Sequence, residues 1–536
     1  MSAAVIIMLT YGASAIVGLL RDRLLAATFF GGREWQLDVY FAAFLIPDTI
    51  FQLVVIGALS AAFIPIFSQL VARNQEKDAW YIASASMTVM MTVFGLMSLV
   101  LAIFAGQVSH LIAPGFTGEK LDLMVGLVRI MMIAQVFFAF SGFLGGVLQA
   151  YQRFLVPALA PILYNVGIIF GILILSPFWG IYGAAVGVIV GSFLHLVIQI
   201  FPARRLGFSP KPIWDLSHPA VREIGRLMIP RTLALGVDRI EQFVAVFLAT
   251  MLADGSLSLF NFARHIYLLP ASLFGATIGQ ASLPVLASQA GNDKETFKRT
   301  FSSSLLQILY FTVPAGVVIL VLRIPLVRIV FGAKSFPWPA TILTGQAVAL
   351  FSLSIAAQAA IQLLIRGFYA FKNTRIPLAV GVISAILNLG LSMLFTYEFG
   401  LGIRGLALSI SLAGLFEAVA LFFMLNRIVG GLMTKQFWNP VLKIIAASVI
   451  MGVSLWLLMR YLDRIVFDTT KTSSLIILTI IVSSVGMLIY LLLSWLLKLE
   501  QLRAIFALVG KLGHWRKILA ESEEVLESST APTSPT

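Results

Sequence analysis

Ionisable side chains stand inside the apolar runs of this chain at recurring places. Arg21, Asp22 and Arg23 lie in the first run and Asp38 opens the second. Arg231, Asp238, Arg239 and Glu241 fall in the seventh run, and Arg264 and His265 in the eighth. A charge inside a membrane helix costs a few kcal/mol unless it is paired or faces water, so such groups mark ion or substrate paths. The guanidinium fork of Arg holds phosphate oxygens bidentately and keeps its proton when desolvated. A cleft lined by Arg21, Arg239, Arg264 and His265 therefore suits an anionic ligand. Asp38 and Glu241 are placed to orient those cations or to carry a coupling cation, Na+ or H+, with the membrane potential as the alternative drive.

The chemistry implied is recognition rather than bond-making. The chain has no cysteine, which excludes thiolate nucleophiles and thiolate metal sites, and no resident cofactor is expected. Asp and Glu total only 24, with no Asp-rich diphosphate motif, which disfavours a membrane glycosyl- or prenyl-transferase. His195, Arg129, Arg404 and Glu417 read as core or helix-end residues, and Arg366 as an anchor before a turn. Pro47, Pro65, Pro230, Pro270 and Pro284 recur in the charged helices, with Gly57, Gly275 and Gly279 beside them. Proline removes a helix hydrogen bond and makes a bend, so Pro47, Gly57, Pro65, Pro270, Gly275 and Pro284 are candidate hinges. Plain packing is the alternative for the glycines.

The elements that must hold these groups are membrane helices. The chain is 59% hydrophobic and 11% charged, against roughly 25% charged in a soluble protein, so the bilayer is its solvent. Apolar runs of about 20 residues or more suggest about 14 spans between residues 4 and 497. The first run, Ala3–Leu20, continues into the charged segment and reads as a retained helix. With the N-terminus inside, inner loops and tail hold roughly 20 Lys and Arg against about 7 outside, which predicts both termini cytoplasmic. The same bias accounts for the net charge of +13 without nucleic-acid binding.

The spans form two like halves. Ala150–Pro157 repeats as Ala370–Pro377, Gly180-Ile-Tyr-Gly183 as Gly402-Ile-Arg-Gly405, Pro65 as Pro284, and Asn74 as Asn292, at offsets of 218 to 222 residues. Each half holds an even number of spans, so the halves run parallel, related by an axis along the membrane normal. Residues 1–203 form one six-helix lobe and 226–427 the other, joined by a cytoplasmic linker at 204–225. Trp214 and the spaced basic residues of that linker suit either the membrane interface or a solvated strand. Residues 428–498 supply two extra helices, and 499–536 an acidic, then Ser/Thr/Pro-rich tail expected to be disordered in part.

At these residues the chain resembles the MurJ/MviN family, the lipid II flippases of the MOP transporter superfamily. The matching pieces include Gly18-Leu-Leu-Arg21-Asp22, Asp38-Val-Tyr-Phe-Ala-Ala-Phe, Phe63-Ile-Pro65, Ala113-Pro-Gly-Phe116, Pro230-Arg-Thr-Leu233, Gly255-Ser-Leu-Ser258 and Arg366-Gly-Phe-Tyr-Ala370. The resemblance implies fourteen helices, a central cationic cavity, functional positions at Arg21 and Asp38, and a lipid-tail groove along the two last helices. It implies export of the undecaprenyl-pyrophosphate-linked peptidoglycan precursor across the bacterial inner membrane by alternating access. The chain departs from the family at Ala263-Arg264-His265…Leu268, where Ala-Asp-Arg…Glu is usual, and at Asp238, Arg239 and Glu241, where neutral polar residues are usual. The leading expectation is a lipid II flippase, monomeric, with Arg21, Asp38, Arg239, Glu241, Arg264 and His265 at the headgroup. The rivals are an exporter of another polyprenyl-linked oligosaccharide, a MATE-like cation antiporter, and a non-transporting scaffold. Buried carboxylates would have to dominate the cavity of an antiporter; here basic groups do.

Overall fold

The computed structural model describes residues 3–56, 63–291, 293–332, 335–465 and 471–502, with the side chains of 3–9, 11, 229–231, 233–235, 237 and 238 outside the description. Gly57, Asn292, the tail beyond 502 and the side chains of Pro230, Arg231 and Asp238 therefore lie outside the described residues.

The described residues are helical, without strands. The first half runs α1 (Ala3–Phe29), α2 (Glu34–Phe51), α3 (Ile64–Ala72), α4 (Glu76–Ile103), α5 (Ala105–Ile112), α6 (Glu119–Ala150), α7 (Leu155–Phe170), α8 (Ser176–Trp179) and α9 (Ile181–Arg205). The second runs α10 (Pro219–Ala249), α11 (Ser256–Pro270), α12 (Thr277–Ala290), α13 (Lys294–Val321), α14 (Arg323–Phe331), α15 (Trp338–Ser352), α16 (Ile355–Ala370), α17 (Arg375–Met393) and α18 (Ile403–Val429). Two more, α19 (Lys435–Ile465) and α20 (Thr472–Leu496), follow and pack on α13 and on each other. Eleven helices are long and apolar enough to cross a membrane, or twelve if the bent pair α15–α16 is one span. The sequence count of fourteen also took in α1 and α10, 27 and 31 residues long. Helix α10 carries Asp238, Arg239 and Glu241 within one turn, more charge than a lipid-facing span bears.

The halves repeat their irregularities as well as their helices. A π-helical stretch, Gln52–Ile56, follows α2, and another, Ala271–Ala276, follows α11. Gly171–Leu175 after α7 and Leu394–Glu398 after α17 form a second such pair. The first pair lies just beyond Pro47 and Pro270, whose missing N–H disturbs the hydrogen-bond ladder where the extra residue is accommodated. Arg366 donates to the Ala276 carbonyl at 3.3 Å, supplying a freed acceptor with a partner. Pro65 and Gly275 differ from the hinge expectation in local setting. Pro65 stands in the first turn of α3, where proline costs little. A Cβ on Gly275 would lie 2.7 Å from the Ala359 Cα, so this glycine permits close approach of α16. Pro284 lies inside α12.

The linker is not a free strand. Between Arg205 and Pro219 it runs along α4, with Ile213 N–H donating to Thr88 Oγ1 at 3.2 Å and Phe208 packed on Trp80. Asp215 accepts from Tyr81 Oη at 2.9 Å and from the backbone of Ser217 and His218, and these bonds hold its carboxyl below the ordinary range. Trp214 stays exposed. We call this side of the molecule the linker end and the opposite side the far end.

Candidate functional site

The charged residues of α1, α2, α10 and α11 meet where the two halves face each other. Arg21 binds the Asp22 carboxylate through Nε and Nη2 at 3.0 and 2.8 Å and donates Nη1 to Asn165 Oδ1 of α7 at 3.1 Å. The second oxygen of Asp22 lies 2.6 Å from His265 Nδ1. A continuous path Asn165–Arg21–Asp22–His265 thus crosses from the first half to α11 of the second. The Asp22 side chain is 2% exposed, and that of His265 is 33% exposed. A buried carboxylate held between a guanidinium and an imidazole avoids the penalty that an isolated one would carry.

A second crossing lies nearby. Arg239 of α10 binds Asp48 of α2 at 2.8 Å and Gln242 at 2.8 Å. Between the two crossings is Arg264, whose Nε is buried with no hydrogen-bond partner among the described residues. Desolvating such a donor costs about 1–3 kcal/mol, more for a charged group. It is the kind of position an incoming anion would satisfy.

Two cavities meet at this wall. One of about 540 Å³ opens along α1, α7 and α11 and is lined by Thr10, Ser14, Arg21, Asp22, Asn165 and His265 among others. The other, about 150 Å³, lies toward the far end and is lined by Arg21, Tyr40, Asp48, Gln242, Arg264 and His265 among others. Arg21 and His265 border both.

The far end is sealed. Asp38 accepts from Gly255 N at 2.7 Å, Ser258 N at 2.7 Å and Ser258 Oγ at 2.5 Å. It thereby caps the N-terminus of α11 from the opposite half, meeting the free N–H groups and the positive end of the helix dipole. Gly255 has φ +87°, a left-handed turn suited to glycine. Phe30, Phe262, Phe331 and Phe336 close the space beneath, with Phe262 stacked on Phe331 at 4.4 Å between centroids. A Cβ on Gly115 would lie 2.0 Å from the Thr250 carbonyl, so the loops meet there only because residue 115 is glycine. Lys120 pairs with Asp254 at the rim.

Of the residues expected at the headgroup, Arg21, Arg264 and His265 line the cavities. Arg239 acts from behind, on Asp48. Glu241 lies within electrostatic reach of Tyr267 of α11 and does not line either cavity. Asp38 is spent on the seal, its oxygens occupied by the α11 cap, and lines neither cavity. Arg23 turns away to the Ile329 carbonyl of α14. His195 is held in a separate cluster with Ser141 and Gln199, as a core histidine. Asp48, Asn165 and Gln242 were not foreseen as site residues. Asp48 was legible as a carboxylate beside Pro47 in an apolar run, and Asn165 as the asparagine repeated at Asn388.

Comparison with known proteins agrees with this geometry. The profile described as lipid II flippase MurJ matches residues 25–479. A probable lipid II flippase MurJ of Bdellovibrio bacteriovorus is 28% identical over 449 residues, covering 82% of this chain and 85% of its own. That of Thermotoga maritima is 27% identical over 497 residues, covering 92% and 95%. A solved lipid II flippase MurJ in an inward closed conformation superposes with TM-score 0.75 at 24% identity, covering 91% of this chain and 98% of that one. A MATE family multidrug transporter of the MOP superfamily, inward-facing, superposes at TM-score 0.67 and 15% identity over 78% of this chain and 95% of its own. The two solved structures speak for the fold, and the profile for the lineage: the chain belongs to the MurJ family of lipid II flippases.

Proposed function

We propose that this chain carries lipid II from the inner to the outer leaflet of a bacterial inner membrane, gripping its pyrophosphate at Arg21, Arg264 and His265. The observation that carries the reading is the buried, unpartnered Nε of Arg264, which lines the smaller cavity beside His265 and Arg21, the two residues that border both. A pyrophosphate supplies the acceptor that the protein withholds. Arg21 has its guanidinium oriented by Asp22 and Asn165 through Nε, Nη1 and Nη2, and the remaining N–H on each Nη is left for a second phosphate oxygen. No bond of the substrate is broken, so the work is positioning and exchange of access rather than catalysis.

Both termini and the linker lie on the cytoplasmic side in this reading, and the far end is periplasmic. The larger cavity then receives the headgroup from the cytoplasmic leaflet beside α1 and α11, while the lipid tail stays in the bilayer or along α19 and α20. The Asp38 cap and the phenylalanine cluster hold the periplasmic side shut. Opening that side exchanges these contacts for others at the linker end, with the bends at Pro47, Pro270 and Pro284 as hinges. A MATE-like cation antiporter is disfavoured by the charge of the site: its two cavity carboxylates are already paired with Arg21 and Arg239.

The reading is tested in a conditional strain depleted of its own lipid II flippase, with membrane levels of each protein measured. The parent chain restores growth, and Arg264→Ala at equal abundance does not. Failure of a well-expressed parent would point to another polyprenyl-linked substrate. Rescue by Arg264→Ala would remove the headgroup from this site.

A further inference from the structure

His265 differs from its arginine neighbours in one respect: its charge is not permanent. Its Nδ1 is engaged by Asp22 at 2.6 Å, so Nε2 is the nitrogen left to gain and lose a proton. The side chain is one-third exposed and borders both cavities, so water and ligand reach it. Histidine is the side chain whose charge ordinarily changes between pH 5 and 8.

The surroundings make that proton matter. Arg21 and Asp22 from α1, Tyr40 and Asp48 from α2, and Arg264 on its own helix line the cavities that His265 borders, and behind them stand Tyr164 of α7, Arg239 and Glu241 of α10, and Tyr267 of α11. The elements α13, α15, α16 and α18, also packed on α11, contribute no residue to the lining of either cavity. Over the groups that line the cavities or stand next to them, Arg21, Arg239 and Arg264 are set against Asp22, Asp48 and Glu241, which leaves no net positive charge to meet an anion. A proton on His265 makes the site positive by one. A pyrophosphate esterified at both ends carries two negative charges and lacks the ionisation near pH 6 of a phosphate monoester. The protonated site meets it with a net positive charge, and Nε2–H adds a donor for a phosphate oxygen.

We propose that His265 is a proton-binding site linked to the headgroup site, so that the pyrophosphate binds together with one proton taken from water onto Nε2. The inference rests on the reading that the headgroup lies against Arg264. Linkage is reciprocal: a bound headgroup raises the proton affinity of His265 by the factor by which the proton raises headgroup affinity.

The test uses the full chain in nanodiscs and fluorescently labelled lipid II as probe, at pH 5.5 and 8.5. Affinity falls about fivefold to tenfold from the acidic to the alkaline condition, as for one interaction that shifts a proton equilibrium by about one unit. His265→Arg fixes the charge and brings affinity at pH 8.5 up to the acidic level. His265→Gln removes it and brings affinity at pH 5.5 down to the alkaline level. A pH dye in weak buffer near neutrality reads a fraction of a proton taken up per lipid bound by the parent, and none by either variant. Equal affinities at both pH values, or a pH dependence that survives both substitutions, overturns the proton site. Arg264→Ala separates the two claims. If it weakens binding while pH has no effect, only the proton site falls. If it leaves binding unchanged, the headgroup lies elsewhere and both fall.

Discussion

The far-end seal and the mid-cavity site join the same four helices, α1 and α2 to α10 and α11, yet they treat charge in opposite ways. At the seal, Asp38 has both oxygens occupied by N–H and O–H donors of a helix start, and the surrounding rings are buried. At the site, Arg264 keeps a buried Nε–H without a partner and His265 a ring nitrogen outside its contact with Asp22. A satisfied charge fixes a contact; an unsatisfied one waits for a ligand. Both are intramembrane charges in sequence, and only the neighbours across the cleft tell them apart.

The sharpest way to break this contrast is to truncate Arg264. Arg264→Ala lowers lipid II transport in proteoliposomes by roughly 30-fold or more, the effect of removing one partner of a desolvated charge pair. Thermal stability of the empty protein should fall far less, because Nε makes no bond to lose and only the contact with Tyr267 goes. A transport loss matched by an equal loss of stability would make Arg264 structural and erase the difference between the two regions.

Asp38 should behave the other way. Asp38→Ala strips the cap from α11 and costs the closed far end about 3 kcal/mol, while Asp38→Asn, itself a good cap, costs about 1 kcal/mol. The chain contains no cysteine, so Leu257→Cys, at a cavity-lining position just inside the cap, is a clean reporter. Labelling by a membrane-impermeant thiol reagent from the far side rises steeply in the Ala background and slightly in the Asn one. Equal labelling in all three backgrounds would mean that the seal does not depend on Asp38.

The Arg239–Asp48 pair sits between these extremes, being a crossing between halves that also borders the cavity. Arg239→Ala leaves Asp48 uncompensated and Asp48→Ala leaves Arg239 so. The double change should recover part of the loss, with a coupling of about 1–3 kcal/mol in thermal or denaturant stability. Additive losses would show that the 2.8 Å contact contributes nothing beyond its members.

What was legible in the sequence follows from the same distinction. The repeated spans could be read because burial in lipid imposes apolarity on whole segments and because the halves keep their irregularities in register. The site could be located to four helices because charge there is costly wherever its partner lies. The roles of Asp38, Asp48 and Gly275 depend on what stands opposite: a helix start 217 to 220 residues away, an arginine 191 residues away, and the backbone of Ala359. No local pattern carries such pairings, so Asp38 read as a ligand group and Gly275 as a hinge.

The smallest expected effect concerns the linker, where the carboxylate is satisfied but exposed to water. Asp215 gathers Tyr81 Oη and two backbone N–H groups and has its carboxyl depressed by them. A group with a depressed folded value stabilises above its unfolded value, and that contribution disappears as pH falls through the folded one. Hydrogen exchange at Ser217 and His218 should therefore be unchanged between pH 7 and pH 5 after correction for intrinsic rates, and should quicken below about pH 4. Asp215→Asn should quicken exchange at pH 7 while leaving headgroup affinity alone, because the linker binds α4 and reaches neither cavity. If affinity moved with it, the linker would have to be coupled to the site through α10, and the separation of fixed contacts from waiting ones would no longer hold at the linker end.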